Sequence, residues 1–185
     1  IPNEKKVGRF EMVAGHRRKH AAKLAGLTHI PVIVRDMDHD EATIYMVDSN
    51  LKREKLTPME KARAYTMKTE ALRRKMGRKS KEEIAALEAQ GKKPLTADQE
   101  LAAQTGESVA TVQRFKTLTK LTPPLQKMVD KGAIPVNTAA DIAQMKPKEQ
   151  DALADAIEKE AKVPSGTAAK ELKEASRAGV ARQVF

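Results

Sequence analysis

Leu101-Ala102-Ala103-Gln104-Thr105-Gly106-Glu107-Ser108-Val109-Ala110-Thr111-Val112-Gln113-Arg114-Phe115 is the stretch whose reading decides the fold. It has the spacing of two short helices joined by a tight turn. Ala102 sits four residues before Gly106, where crossing helices need a small side chain. Gly106 supplies the left-handed backbone that a side chain resists. Ser108 is placed to cap the second helix, and Val112 and Phe115 fall where that helix must face the first. Val109, Ala110, Thr111, Gln113 and Arg114 are left outward near its start. A Gln suits an adenine edge and an Arg a guanine edge, both in the major groove. An ordinary helical hairpin has the same turn, so the rest of the chain has to weigh in.

Composition favours nucleic acid. The 185 residues carry a formal charge of +10, which points to a polyanionic partner. Arg114, Lys116 and Lys120 lie in or just after the second helix. Acidic residues are also plentiful, so the surface is charge-laced and not a polybasic tail. Aromatic residues make up 3% with no Trp, so the core must come from Leu, Ile, Val, Met and Ala. The absence of cysteine excludes disulfides and thiolate metal sites and fits a reducing cytosol. No apolar run approaches a membrane span, and no signal-peptide pattern is visible.

Outward from the hairpin the pattern is mostly helical. Asp38 with Glu41 makes a capping box, with Ile44, Val47 and Leu51 following at helical spacing. Thr57-Pro58-Met59-Glu60 starts a helix that runs to about Met76. Further helices are expected from Thr96, Ser108, Pro123, Asn137, Pro147 and Ser165. Gly77 to Pro94 is dense in Lys, Arg and Gly and reads as a loosely packed insertion or a mobile arm. Two strands are expected upstream, Arg9–Val13 and Ile30–Val34. Between them Arg17–Ala25 forms a helix closed by Gly26, giving a βαβ-like unit. The fold class is therefore mostly α, with a small α/β N-terminal domain and a multi-helix helix-turn-helix domain. The opening at Ile1-Pro2, inside a sheet-bearing region, leads us to expect that an N-terminal portion is missing.

Gly15-His16-Arg17-Arg18 stands at the start of that first helix. Two cations there oppose the helix dipole, and a bound anion would remove the conflict. A solvated basic turn is the plainer reading of the same residues. His16 and His20, at i and i+4, would make half a zinc site, but no general-base Glu or third ligand accompanies them. His29 and His39 read as loop histidines.

Val13-Ala14-Gly15-His16-Arg17-Arg18-Lys19-His20-Ala21 resembles the Gly-Glu-Arg-Arg box of the ParB chromosome and plasmid partition family. Ser49-Asn50-Leu51-Lys52-Arg53-Glu54, followed by Leu56-Thr57-Pro58-Met59-Glu60-Lys61-Ala62, resembles that family's second box, Glu-Asn-x-Gln-Arg-Glu. The helix-turn-helix and the segment Leu118–Met145 follow in the family's order, so the resemblance spans roughly residues 7 to 150. It implies a ParB-like nucleotide-binding domain over residues 1–56 and a helical DNA-binding domain over 57–185, with the helix-turn-helix at about 97–118.

By that resemblance the protein is a cytoplasmic, nucleoid- or plasmid-associated segregation protein. It reads a specific site on double-stranded DNA, forms a homodimer, meets a ParA-type ATPase and is regulated by CTP with Mg²⁺. The nucleotide would be held by Gly15, His16, Arg17, Arg18, Ser49, Asn50, Lys52 and Arg53, with Asn50 on the metal. DNA would be contacted by Ser108, Val109, Thr111, Gln113, Arg114 and Lys116. His16 and Ser49 stand where the family commonly has Glu, His20 where it has Arg, and Lys52 where it has Gln. These departures weigh against hydrolysis more than against binding, and Asp48 is turned about 100° from the Ser49 position. The family's first box would precede Ile1, and its C-terminal dimerisation domain is not recognisable after Val180. The chain is thus expected to be a fragment or a shortened relative from a plasmid or mobile element.

Two other readings share the scaffold. A ParB-like nuclease needs clustered carboxylates on a metal, for which only Asp48 and Glu54 offer themselves. A mobile-element transcriptional regulator would keep the helix-turn-helix and lose the nucleotide switch. Catalytic residues are not assigned; weak CTPase activity would follow from the resemblance alone.

Overall fold

The computed structural model describes residues 9–53, 55–77, 89, 91 and 94–179. Among them are nine α-helices and one short 3-10 turn. We number the helices α1 (His16–Leu24), α2 (His39–Leu51), α3 (Pro58–Met76), α4 (Ala97–Thr105), α5 (Val109–Thr117), α6 (Pro123–Asp130), α7 (Val136–Ile142), α8 (Pro147–Glu160) and α9 (Gly166–Ala178). The chain divides into two compact units, Ile1–Glu54 with Met67–Lys93, and Lys55–Thr66 with Pro94–Phe185. Helix α3 contributes its first half to the second unit and its second half to the first.

Local chemistry places most helix ends where the sequence puts them. The Asp38 carboxylate accepts from the Glu41 N–H at 2.7 Å, and the Glu41 side chain accepts from the Asp38 N–H. Thr57 with Glu60 and Thr96 with Gln99 repeat that reciprocal arrangement at α3 and α4. Ser108 and Ser165 cap α5 and α9 from their hydroxyls. Helix α7 begins at Val136, with Pro135 preceding it, one residue ahead of the expected Asn137.

In the second unit the apolar faces of these helices converge. Leu118, Leu125, Ile142 and Met59 are fully buried, and Leu121, Val129 and Ile134 are nearly so. Helix α7 packs on α9, α5 and α6, and α6 packs on α8. Burying each such Leu or Ile side chain contributes about 1.5–3 kcal/mol. Gln150 is a polar residue buried in this unit, as are Thr138 and Ser176, and its bonds are satisfied. It accepts from Thr122 N–H at 2.9 Å and donates to the carbonyls of Met145 and Lys120 at 3.0 and 3.4 Å. Asp130 of α6 accepts from the Met59 N–H at 2.9 Å, which satisfies one of the free donors at the start of α3.

Among the described residues, fewer are buried in the first unit. Ala42 and Val47 of α2 and Ala71 and Leu72 of α3 are covered, along with Lys68 and Thr69. Lys68, only 2% exposed, donates to Asp48 at 2.5 Å. Arg74 pairs with Asp40 at 2.7 Å, and Lys75 pairs with Glu41.

The two expected strands are corrected. Arg9–Val13 holds a single bridge residue, Phe10, and Ile30–Val34 forms no ladder among the described residues. A β-branched run becomes a strand only when another backbone takes its N–H and C=O groups. Here Val32 and Ile33 are 71% and 85% exposed, so neither face of the run is packed. The mostly helical class stands, with almost no strand among the described residues. Most of the basic stretch expected as an insertion, residues 78–88, 90, 92 and 93, lies outside the described residues, as does the chain after Gly179.

Candidate nucleic-acid interface and anion turn

Helix α4 ends at Thr105, and Gly106 turns the chain with φ 71°. The Glu107 N–H closes back on the Ala102 carbonyl at 3.1 Å. Leu101 and Ala102 are buried on α4, and Val112 is fully buried on α5. Phe115 packs against the core and meets the Tyr65 ring edge-on, centroids 5.8 Å apart. The outward positions of α5 are therefore settled by its inward ones. Ala110 and Gln113 are exposed, and Val109, Thr111, Arg114 and Lys116 are half-buried. Ser108 is not a free hydroxyl: its Oγ accepts from the Thr111 N–H at 3.1 Å and lies 2.8 Å from Thr111 Oγ1. Arg114 forms no ion pair with another described residue, so its guanidinium is available to a ligand.

Lys61, Tyr65 and Asp98, whose roles sequence reasoning missed, hold this hairpin. The Lys61 ammonium of α3 donates to Glu107 in the turn and lies 4.6 Å from the Phe115 ring centroid and 5.4 Å from that of Tyr65. Burial works to lower the Lys61 pKa, but the bond to Glu107 and the neighbouring Tyr65 outweigh it and hold the ammonium above its ordinary value. Burial raises the Tyr65 phenol. Glu107 Oε2 is buried without a hydrogen-bond donor among the described residues, and the Lys61 ammonium neutralises its carboxylate. Asp98, in the first turn of α4, takes the Lys116 ammonium, and its second oxygen lies 3.5 Å from Gln113 Nε2. These partners stand 46 and 18 residues apart, and no local spacing in the sequence marks them.

The other site is the N-terminus of α1. Gly15 stands in the left-handed region at φ 97°, where a side chain is strained, and no side chain caps the helix. The first turn contains no acid, and the first backbone bond inside the helix runs from Lys19 N–H to the Gly15 carbonyl. The preceding amides of Arg17 and Arg18 therefore face outward with no helical acceptor. The Arg18 guanidinium folds back to within 3.8 Å of where a Gly15 Cβ would stand. His16, Arg17 and Arg18 are exposed, and α1 buries no residue. Free amides and two guanidiniums at one helix end suit a phosphate.

Ser49, Asn50, Lys52 and Arg53 lie at the end of α2 and just beyond it; Asn50 is half-buried and the others are exposed. Among the described residues no hydrogen bond or ion pair joins them to Gly15–Arg18. Asp48, which precedes Ser49 in the chain, is already held by Lys68. The donor set for a divalent cation is thus thin, a single neutral Asn50 oxygen before any phosphate arrives. No group of three or more His, Asp or Glu among the described residues could hold a metal. No described helix is long and apolar enough to cross a membrane.

Comparison with known proteins matches residues 2–51 to the ParB N-terminal domain. The chain is 54% identical over 56 residues to a probable chromosome 1-partitioning protein ParB of Deinococcus radiodurans, covering 30% of this chain and 19% of that one. It is 30% identical over 141 residues to the chromosome-partitioning protein Spo0J of Thermus thermophilus, 76% of this chain and 44% of that one. It is 38% identical over 78 residues to a nucleoid occlusion protein of Geobacillus kaustophilus, 38% of this chain and 28% of that one. The chain therefore spans less than half the length of these relatives. Its fold is similar to the C-terminally truncated ParB of Caulobacter crescentus, solved in complex with the centromeric parS site. The TM-score is 0.52 at 24% identity, covering 94% of this chain and 79% of that one.

Proposed function

We propose that this chain, a ParB-type protein by its N-terminal domain and its relatives, binds a specific site on double-stranded DNA through α5 in chromosome or plasmid segregation. One observation carries the reading. The buried Leu101, Ala102 and Val112 and the left-handed Gly106 leave Gln113 and Arg114 on the outward side of a capped helix. That is the arrangement needed to place a carboxamide and a guanidinium against base edges. The parS complex of the Caulobacter relative supports the choice of ligand. If Arg114 reads a guanine, Arg114→Ala should weaken binding to a parS duplex by about 1–3 kcal/mol. Fluorescence anisotropy should show a much smaller loss on a scrambled duplex. An equal loss on both would make Arg114 a phosphate contact, and no loss on either would remove α5 from the groove.

The first unit, in this reading, takes CTP. Gly15 and the free amides of Arg17 and Arg18 would receive the phosphates, with the Arg17 and Arg18 guanidiniums offsetting their charge. Arg53 and Lys52 would add positive charge, and Asn50 would offer an oxygen to Mg²⁺, which supplies charge neutralisation when bound. His16 and Ser49 bring no carboxylate, so the pocket is proposed to bind and not to hydrolyse efficiently. Arg17→Ala and Asn50→Ala should each abolish CTP binding by calorimetry while leaving DNA affinity unchanged. No heat with any nucleotide, Mg²⁺ present, would sink this half of the proposal. Homodimerisation and a ParA-type ATPase partner belong to the same reading, and analytical ultracentrifugation tests the first.

A further inference from the structure

The contact between α4 and α5 contains a carboxylate that base reading does not need. Asp98 is the second residue of α4, and it grips the ammonium of Lys116 in the last turn of α5. Only 19% of the Asp98 side chain and 21% of the Lys116 side chain are exposed. Water reaches such a pair poorly, so it is screened less than an ion pair on open surface. Gln113, one turn earlier on the same helix, leans on the same carboxylate. Lys116 therefore offers DNA an ammonium already neutralised, and a phosphate seeking it must displace Asp98 and meet that group's own negative charge.

We propose that Asp98 is a specificity-determining residue that withholds Lys116 from the DNA backbone and so weakens binding to DNA of arbitrary sequence. The proposal rests on the reading of α5 as the groove helix. Complexes with arbitrary sequence are held by phosphate contacts, each freeing counterions and adding to the salt dependence. Removing one cation from that set weakens them directly. A complex on the cognate site draws also on base contacts, through Arg114 and a Gln113 side chain steadied by Asp98. Asp98 thereby lowers the background against which the cognate site competes.

The test uses the full chain with a random-sequence duplex and a parS duplex, titrated by fluorescence anisotropy across a salt series. Asp98→Asn should bind the random duplex on the order of tenfold more tightly at low salt and steepen the log–log salt slope by about one. The ratio of parS to random affinity should fall. Lys116→Gln should change random-duplex affinity little in the natural background and cancel the gain in the Asp98→Asn background. An unchanged salt slope, an unchanged ratio, or a Lys116→Gln loss equal in both backgrounds would overturn the proposal while leaving α5 in the groove. Failure of every form to bind any duplex would overturn the DNA reading itself, and this proposal with it. Should thermal melting show that Asp98→Asn does not fold, Asp98→Ser, which keeps a small polar group in the first turn of α4, replaces it in the same arms.

Discussion

Helices α1 and α5 are both nine residues long and both carry cations, yet they are held in opposite ways. Helix α5 starts from a serine cap, buries Val112 completely and sets Phe115 against a ring on α3. Helix α1 starts from an uncapped left-handed glycine and buries nothing. An isolated helix of this length is marginal in water, so tertiary packing decides whether it persists. Helix α5 has that packing in its own unit. The amides at the head of α1 have no protein partner among the described residues, which is why a ligand at Gly15–Arg18 would matter more to α1 than DNA would to the fold of α5.

The contrast can be broken most severely at Leu118, which follows α5 and is fully buried. Leu118→Ala should cost about 2–5 kcal/mol in chemical denaturation. A cost under about 1 kcal/mol would mean that the core around α5 is far looser than its burial shows.

Next come the two glycines. Gly106 at φ 71° and Gly15 at φ 97° would each force a side chain into the left-handed region, and neither Cβ would meet a backbone atom within 4 Å. Gly106→Ala should lower global stability by about 1–2 kcal/mol, because the hairpin and its core unfold together. Gly15→Ala should leave the global midpoint in place and instead speed amide exchange along α1, since a helix that buries nothing opens by itself. Equal shifts of the global midpoint would show that α1 belongs to the cooperative core after all.

A smaller effect is expected from pH. The Lys61 pKa is raised in the fold, so the Lys61–Glu107 contribution is fully present below the ordinary lysine value of 10.5 and is lost as pH rises through the folded value. Stability of the second unit should fall on alkaline titration above that point, and Lys61→Met should flatten this part of the profile. In the first unit the Arg74 hydrogen bond lowers the Asp40 pKa, so its contribution is present above 3.8 and is lost as pH falls through the folded value. Arg74 is exposed and Asp40 only half-buried, so solvent screens the pair, and Arg74→Gln should alter the acid limb only slightly. The smallest effect of all is expected at Leu24, at the end of α1 and 77% exposed. Leu24→Ala should move stability by no more than about 0.5 kcal/mol, against the severalfold larger loss at Leu118.

What the sequence determined by itself is whatever is local. The capping pairs at Asp38 and Thr57, the helix start at Thr96, the turn glycine at 106 and the buried Val112 were legible because cause and effect lie within a few residues. The unusual cations at the head of α1 were legible for the same reason. Tertiary structure alone decided that Lys61 braces the turn, that Lys68 holds Asp48, and that Asp98 holds Lys116. Each of those pairs joins residues 18 or more positions apart, and no periodicity marks which charge will meet which. The two runs that looked like strands show the same limit from the other side. Alternation and β-branching describe a chain ready to pair, but a strand exists only where a second backbone accepts its hydrogen bonds, and that partner lies beyond the reach of any local pattern.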